Sequence, residues 1–347
     1  MYARLGMQSF GSTFTCGDLV YEPLVASVEN IETELTRFDS RLNRLERQID
    51  WHLDIPFRPS TEYYHGGTFF KAIGNTFDDL PLRNEIINAD VLDAWFPPCP
   101  SAQQALHEHL GWIMRTSPPN HSEGLVQTIA KTRGTKIENI LTGGGSSPLI
   151  FLAFRHWLNP SSRVLLLDPT YGEYAHVLEK VIGCNVDRFK LNRFEGYKLN
   201  TERFAAKLAE GFDLVVWVNP NSPTERHVVR AETEEVLNQC PKATRIWIDE
   251  TYIEYAGTGQ SLESYAAQSS NVIVVKSLSK VYGLSGLRVG YLCGPAKQLA
   301  PLRGLTPPWS VSLPAQVAAI HAMKEPCYYG DRYKETHQLR AQSFTSA

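Results

Sequence analysis

The stretch VIVVKSLSKVYGLSGLRVG, residues 272–290, decides the fold. A run of β-branched aliphatics is the mark of a strand covered on both faces. It opens into a Ser-rich turn carrying Lys280, and Arg288 follows eight residues later, after a Gly-containing bend. A lysine at the mouth of an apolar strand sits where desolvation favours the neutral amine that a Schiff-base nucleophile needs. Ser277, Ser279 and Arg288 add hydroxyl donors and a fixed positive charge, a set suited to a phosphate dianion. Taken alone, the stretch reads first as a surface lysine behind a strand, and it is the groups at the other strand ends that shift the balance.

Outward from this stretch, short runs rich in Val, Ile and Leu alternate with segments of helical period. Strands are expected over 139–141, 164–167, 186–190, 214–218, 245–248, 272–275 and 288–292. Helices are expected over 148–157, 173–182, 201–209 and 232–239. Such alternation predicts an α/β fold with a mainly parallel seven-stranded sheet between two layers of helices, and ligands at the carboxyl ends of the strands.

Each strand end carries a group with a job beside that lysine. DETYIEY (249–255) sets Asp249 and Tyr252 at the sheet edge. A carboxylate there suits a protonated pyridine nitrogen, or serves as a helix N-cap. LTGGGSS (141–147) precedes an apolar helix; its glycines let the backbone approach a ligand, and the helix N-H groups with Ser146 and Ser147 form an anion site. DPTYGEY (168–174) offers Tyr171, either as a ring that stacks on a flat heteroaromatic or as packing. NPNSPT (219–224) turns Asn221 or Ser222 inward as a donor.

The order GGGSS, DPTYGEY, NPNSPT, DETYIEY and SLSKVYGLSGLRVGY resembles the fold-type-I pyridoxal-phosphate enzymes. Within them it is similar to the histidinol-phosphate aminotransferase and threonine-phosphate decarboxylase branch of the class I/II aminotransferases, over residues 138–323. The resemblance implies pyridoxal phosphate as cofactor, a Schiff base on Lys280, Asp249 on the pyridinium nitrogen, Tyr252 on the phenolate oxygen and Tyr171 on the ring face. It puts the phosphate among Gly145, Ser146, Ser277, Ser279 and Arg288. The activity it implies is transamination between an amino donor and a keto-acid acceptor, the donor being an amino acid or amino phosphate, in a cytoplasmic homodimer. A decarboxylase is the nearest alternative, and a cofactor-binding scaffold with impaired catalysis is another. His65 with its two following glycines, and Trp309, resemble segments near the substrate in threonine-phosphate decarboxylases.

The chain departs from the family pattern at named places. Ser222 stands where an asparagine is usual, and Glu225 where glycine is. The arginine-tyrosine-proline turn is replaced by Arg115, Thr116, Ser117 and Pro118, which leaves Ser117 or His121 for a cross-subunit contact. Asp90 and Asp93, in NADVLDAWFPPCP, suit either an amino or guanidino group or a solvated turn. The domains expected are an extension over 1–64, a cofactor-binding domain over 65–325, and a short tail over 326–347 in place of most of a small domain. Arg332 and Arg340 lie in that tail without a family counterpart.

In the extension, Val28, Ile31, Leu35, Phe38, Leu42, Leu45 and Ile49 recur at steps of three and four, so an amphipathic helix is expected over 28–49. It is either a coiled-coil arm or a helix packed on its own domain. A Pro- and aromatic-rich stretch over 55–70 is expected to be extended. Composition narrows the remaining classes. With 34 basic and 37 acidic residues the net charge is -3, which provides no field for nucleic acid. The 6 cysteines are scattered, so neither a disulfide framework nor a zinc site is expected, and no apolar run reaches membrane-spanning length. GGGSS lacks the GxGxxG spacing of dinucleotide-binding folds.

Overall fold

The computed structural model describes residues 8–9, 14–16, 19–21, 24–25, 68–88, 91–257 and 259–345. Contacts divide the chain into two units, Met1–Tyr64 and His65–Ala347. In the first, β1 (Gln8–Ser9) pairs antiparallel with β4 (Leu24–Val25), and β2 (Phe14–Cys16) with β3 (Leu19–Tyr21). The helix expected over 28–49 lies outside the described residues. Of the stretch expected as extended, residues 68–70 instead begin the helix Thr68–Ile73.

The second unit is built on a seven-stranded sheet. Its strands are β5 (Ile140–Gly143), β6 (Arg163–Asp168), β7 (Asn185–Lys190), β8 (Leu214–Val218), β9 (Arg245–Asp249), β10 (Val272–Ser277) and β11 (Gly290–Cys293). The spatial order is β5-β11-β10-β9-β8-β6-β7. From β10 to β7 all neighbours are parallel, and β11 runs antiparallel to both β10 and β5. The fold is the expected α/β sandwich with a mainly parallel sheet.

Alternation along the strands feeds two separate cores. Leu165, Leu167, Val215, Trp217, Ile246, Ile248, Val272 and Val274 pack on one face. Val164, Leu166, Val216, Val218, Trp247, Ile273 and Val275 pack on the other. Both faces are covered by helices, so every residue of β8 is buried and the strand reads as a continuous apolar run. Aromatic pairs fasten the helices to the sheet: Phe204 stands edge-on to Trp217 and Phe154 to Trp247, each at 5.0 Å.

One element differs from expectation, and the tail has a structure for which no expectation was set. The segment expected as one helix over 173–182 is a short α-turn, Gly172–Ala175, continued as π-helix through His176–Ile182 and closed by Gly183 at φ 82°. Residues after Met323 form a 20-residue helix, Pro326–Thr345. No described helix is long and apolar enough to cross a membrane.

Beneath the ends of β9 and β10 lies a buried cluster of charge. Lys276, on β10, has its ammonium 2.7 Å from Glu254 Oε1, at an angle poor for a hydrogen bond, and 3.6 Å from Glu250 Oε2. Arg133 reaches Glu254 at 3.0 Å and Glu263 at 3.3 Å, and also donates to the Tyr282 and Tyr291 hydroxyls. Glu250 accepts from Ser261 Oγ and the Leu262 N-H, and Glu263 accepts from Tyr291. Two cations thus face three carboxylates, and burial pushes the Glu250 carboxyl up to about 7 against the pull of Lys276.

Removing one member strands its partners in a low-dielectric interior. Lys276→Met is expected to cost about 3–5 kcal/mol in denaturant unfolding, and adding Glu250→Gln to it should restore part of that loss. A second expectation concerns pH. Between the ordinary carboxylate value of 4.5 and about 7, folded Glu250 holds a proton that the unfolded chain has lost. Stability therefore falls as pH rises through that window, by at most about 1.4 kcal/mol per unit, and Glu250→Gln should flatten the slope.

Candidate functional site

The site forms where strands β5, β6, β8, β9 and β10 end. β10 runs into the short helix Leu278–Val281, with Ser277 as its N-cap: the Ser277 hydroxyl accepts from the Ser279 N-H. This turn presents Lys280, whose Nζ lies 3.1 Å from Asp93 Oδ1. Lys280 lines a pocket of about 510 Å³, together with Asp93, Trp95, Ser222, Tyr252 and Tyr255.

Next to the lysine turn, Arg288 sits at φ 54° and directs Nη1 to Ser279 Oγ at 3.3 Å. Its guanidinium lies against the Gly-rich loop. A Cβ on Gly145, at φ 105°, would fall 2.5 Å from Arg288 Nη2, and one on Gly290 would fall 2.7 Å from Lys276 O. Only glycine allows this approach. Gly145 precedes the helix Ser146–Trp157, whose first-turn N-H groups lack intrahelical acceptors. Guanidinium, hydroxyls and helix N-terminus therefore meet with no side chain between them, as an anion site requires.

At the end of β9, Asp249 is buried and its carboxylate accepts three hydrogen bonds. Oδ1 accepts from the Thr251 N-H at 2.9 Å and its hydroxyl at 2.6 Å. Oδ2 accepts from the Tyr174 hydroxyl at 2.7 Å, and Trp247 Nε1 donates to that hydroxyl in turn. Burial outweighs these donors and pushes the Asp249 carboxyl up. A buried acid held this way has a fixed orientation and a strong tendency to take a proton or a cationic N-H. Tyr252 follows in the pocket wall, its phenol pushed up to about 12 by burial and by Asp249.

Other expected residues take different stations. Tyr171 donates to Glu173 Oε2 at 2.8 Å, an oxygen that also accepts from Ser147 Oγ at 2.7 Å, so Glu173 ties the β6 loop to the Gly-rich loop. Asn221 spends both amide hydrogens on Pro169 O and Thr224 Oγ1 and accepts from Thr170 Oγ1, pinning the β6 and β8 loops together. Asn221 and Ser222 both line the pocket, and of the two it is Ser222 whose side chain has no hydrogen bond among those described. Glu225, where glycine was expected, adopts φ 58° and pairs with Arg340 at 2.8 Å on the pocket rim. Trp309 is half exposed, stands apart from the pocket and donates its backbone N-H to Asn120 O. His65 and Asp90 lie outside the described residues.

Four residues in and around the site escaped the sequence reading or were left by it without a partner. Tyr174 was legible as the second tyrosine of DPTYGEY, and Glu173 as the acid beside it. Asp93 reads as suited to an amino or guanidino group or to a solvated turn, with no partner in the chain assigned to it. Lys276 ends an apolar run, where a lysine normally marks the exposed end of a strand.

Comparison with known proteins identifies the frame. The family Aminotransferase class I and II matches residues 88–347. The chain is 31% identical over 236 residues to a histidinol-phosphate aminotransferase of Moorella thermoacetica, covering 67% of this chain and 60% of that one. It is 26% identical over 284 residues to the histidinol-phosphate aminotransferase of Staphylococcus carnosus, covering 81% and 78%. The chain thus spans about 60% of the length of the Moorella relative. Among solved structures, the histidinol-phosphate aminotransferase of Sinorhizobium meliloti in complex with pyridoxal-5'-phosphate superposes with a TM-score of 0.65 at 21% identity, over 70% of this chain and 65% of the other. The L-threonine-O-3-phosphate decarboxylase of Porphyromonas gingivalis gives a TM-score of 0.58 at 22% identity, over 68% and 72%. With a family match that takes in the whole sheet and every strand-end group, this chain belongs to the class I and II aminotransferases.

Proposed function

We propose that this chain is a pyridoxal-phosphate-dependent aminotransferase acting on an amino acid or amino phosphate, with Lys280 as the amine that bonds the cofactor aldehyde. The observation that carries the reading is the anion site itself: Arg288 lies against Gly145 at a helix N-terminus, with Ser279 on its other side, one turn of chain from Lys280. That donor set fits a phosphate monoester, and the buried Asp249 fits a ring nitrogen that carries a proton. The amino-phosphate part of the reading draws on relatives named for histidinol phosphate.

When bound, the cofactor supplies an electron sink for the pair left at the substrate carbon. The chain's own residues do the remaining work. Arg288, Ser277, Ser279 and the N-H groups at Gly145 and Ser146 hold the phosphate. Asp249 keeps the ring nitrogen protonated, with Thr251 and Tyr174 fixing its direction. Tyr252 retains its proton at neutral pH and donates to the ring oxygen, alongside Ser222. Tyr171 covers the ring face, anchored on Glu173. Lys280 Nζ would take the proton from the substrate carbon and return it to the cofactor's former aldehyde carbon, two atoms away. Residues 65–325 make up the cofactor-holding domain in this reading.

The decisive experiment is spectroscopic. Protein incubated with pyridoxal phosphate is expected to absorb in the visible, and Lys280→Ala to lose that band; wild-type protein without it would end the reading. A panel of amino acids and amino phosphates should then yield keto products, whereas carbon dioxide release would assign decarboxylation. Tyr174→Phe removes one donor from a buried carboxylate, so pyridoxal phosphate should bind about tenfold more weakly in equilibrium dialysis, with Lys280 still able to bond it.

A further inference from the structure

We propose that Asp93 is the carboxylate that receives the ammonium group of the amino substrate beside Lys280. The proposal rests on the reading of Lys280 as the cofactor-bonding amine. Asp93 Oδ1 stands 3.1 Å from Lys280 Nζ in the wall of the same pocket. Its position does not depend on the lysine, because the Ser285 hydroxyl donates to the same oxygen at 2.6 Å.

The segment that carries Asp93 is clamped from two sides. Trp95 Nε1 donates to Thr336 Oγ1 at 2.9 Å, and Phe96 is buried edge-on to the rings of Tyr329 and Tyr333, all on the helix Pro326–Thr345. On the other side the turn after Lys280 comes so close that a Cβ on Gly283 would fall 3.1 Å from Phe96 O. Partial burial opposes ionisation of Asp93. Hydrogen bonds from Ser285 and Lys280, with the charges of Lys280 and Arg288, outweigh it and hold the carboxyl below its ordinary range. Asp93 is therefore a fixed anion at neutral pH.

Amine exchange at a lysine Schiff base swaps one nitrogen for another on the same carbon. The bond to Nζ breaks as the bond to the incoming nitrogen forms, and the two protons that the incoming ammonium sheds end on Nζ, which leaves as a neutral amine able to act as a base, while the positive charge stays on the new imine nitrogen. One positive charge arrives and one remains, so no oxidant or reductant enters. With Nζ bonded, Asp93 has lost its cation and faces the pocket; once Nζ is released, Asp93 again stands within hydrogen-bond reach of it. A carboxylate fixed within hydrogen-bond reach of Nζ serves both states. An exposed ion pair would contribute little by itself, and the value of this one lies in where the second amine must enter.

The test uses protein loaded with pyridoxal phosphate and two simple amines. Ethylamine can take over the bond from Lys280; trimethylamine can dock as an ammonium but cannot form a double bond to carbon. Borohydride reduction followed by peptide mass measurement reports the fraction of Lys280 still carrying the ring, at timed points and several ethylamine concentrations. In wild-type protein, release should saturate with ethylamine, and trimethylamine should raise the half-saturating concentration. In Asp93→Asn that concentration should rise about five- to tenfold and trimethylamine should no longer compete, while Asp93→Glu retains competition. Wild-type half-saturation in Asp93→Asn, or undiminished competition by trimethylamine, overturns the proposal. Wild-type protein that places no cofactor mass on Lys280 overturns the cofactor reading, and the role of Asp93 with it, before any amine is added.

Discussion

Two cations under the sheet edge, Lys276 and Arg133, hold together the segments on which the site is built. Glu250 and Glu254 belong to the segment that carries Asp249 and Tyr252; Lys276 belongs to the strand that delivers Ser277 and Lys280. β9 and β10 are neighbours in register, Asp249 opposite Val275, so the sheet sets their spacing along and across the strands. Hydrogen bonds of the sheet stop at its edge, and beyond it the chain turns away. There the ion pairs take over, fixing the post-β9 turn against the last residues of β10. A buried pair of this kind adds little stability over apolar residues of the same volume, but it permits few alternative arrangements of its partners. We read it as a device for holding geometry.

The same division of labour recurs at the other strand ends. Asn221 joins the β6 and β8 loops, and Glu173 joins the β6 loop to the Gly-rich loop after β5. Tyr174 links the β6 side to Asp249 through one hydroxyl that also accepts from Trp247. Each connection is polar, largely buried and satisfied, which is the condition under which such networks stiffen a site rather than weaken it. Of the residues lining the pocket, Lys280, Tyr252 and Ser222 have side chains that make, among the described residues, no hydrogen bond that a ligand would have to break, apart from the contact of Lys280 with Asp93.

The sheet was legible because both of its faces are buried. Runs such as LVVWV leave no polar residue to obscure the strand, and the expected bounds missed the ends by one to two residues only. The groups at the strand ends were legible for a related reason: Asp249, Lys280 and Arg288 interrupt apolar or Gly-rich context with charges that ordinary packing does not call for. Lys276 was not, since a lysine ending an apolar run looks like a solvent-facing terminus; its partners Glu250 and Glu254 follow a different strand, and Arg133 and Glu263, which complete the cluster, come from distant helices that only the fold brings near. Asp93 shares that difficulty. Nothing in a proline-rich turn shows that it folds back on the turn after Lys280; the contact depends on Phe96 packing on a helix more than two hundred residues later.

Glu225 shows how a departure from a family pattern is accommodated. The turn after β8 requires φ 58° at this position, a conformation open to glycine at no cost and to a residue with a Cβ at about 1 kcal/mol. The side chain that glycine lacks reaches Arg340 at 2.8 Å, and that pair joins the β8 loop to the helix Pro326–Thr345 across the pocket rim. The pair is exposed on both sides, so its attraction offsets the backbone cost at best. What it changes is the chemistry of the rim. With glycine there, Arg340 would lack this partner; with Glu225, the rim carries a balanced pair opposite the fixed anion of Asp93. On the reading of Lys280 as the cofactor-bonding amine, the rim would then add no net positive charge and Asp93 would leave one negative charge beside the bonded lysine, a gradient that would favour an entering ammonium group.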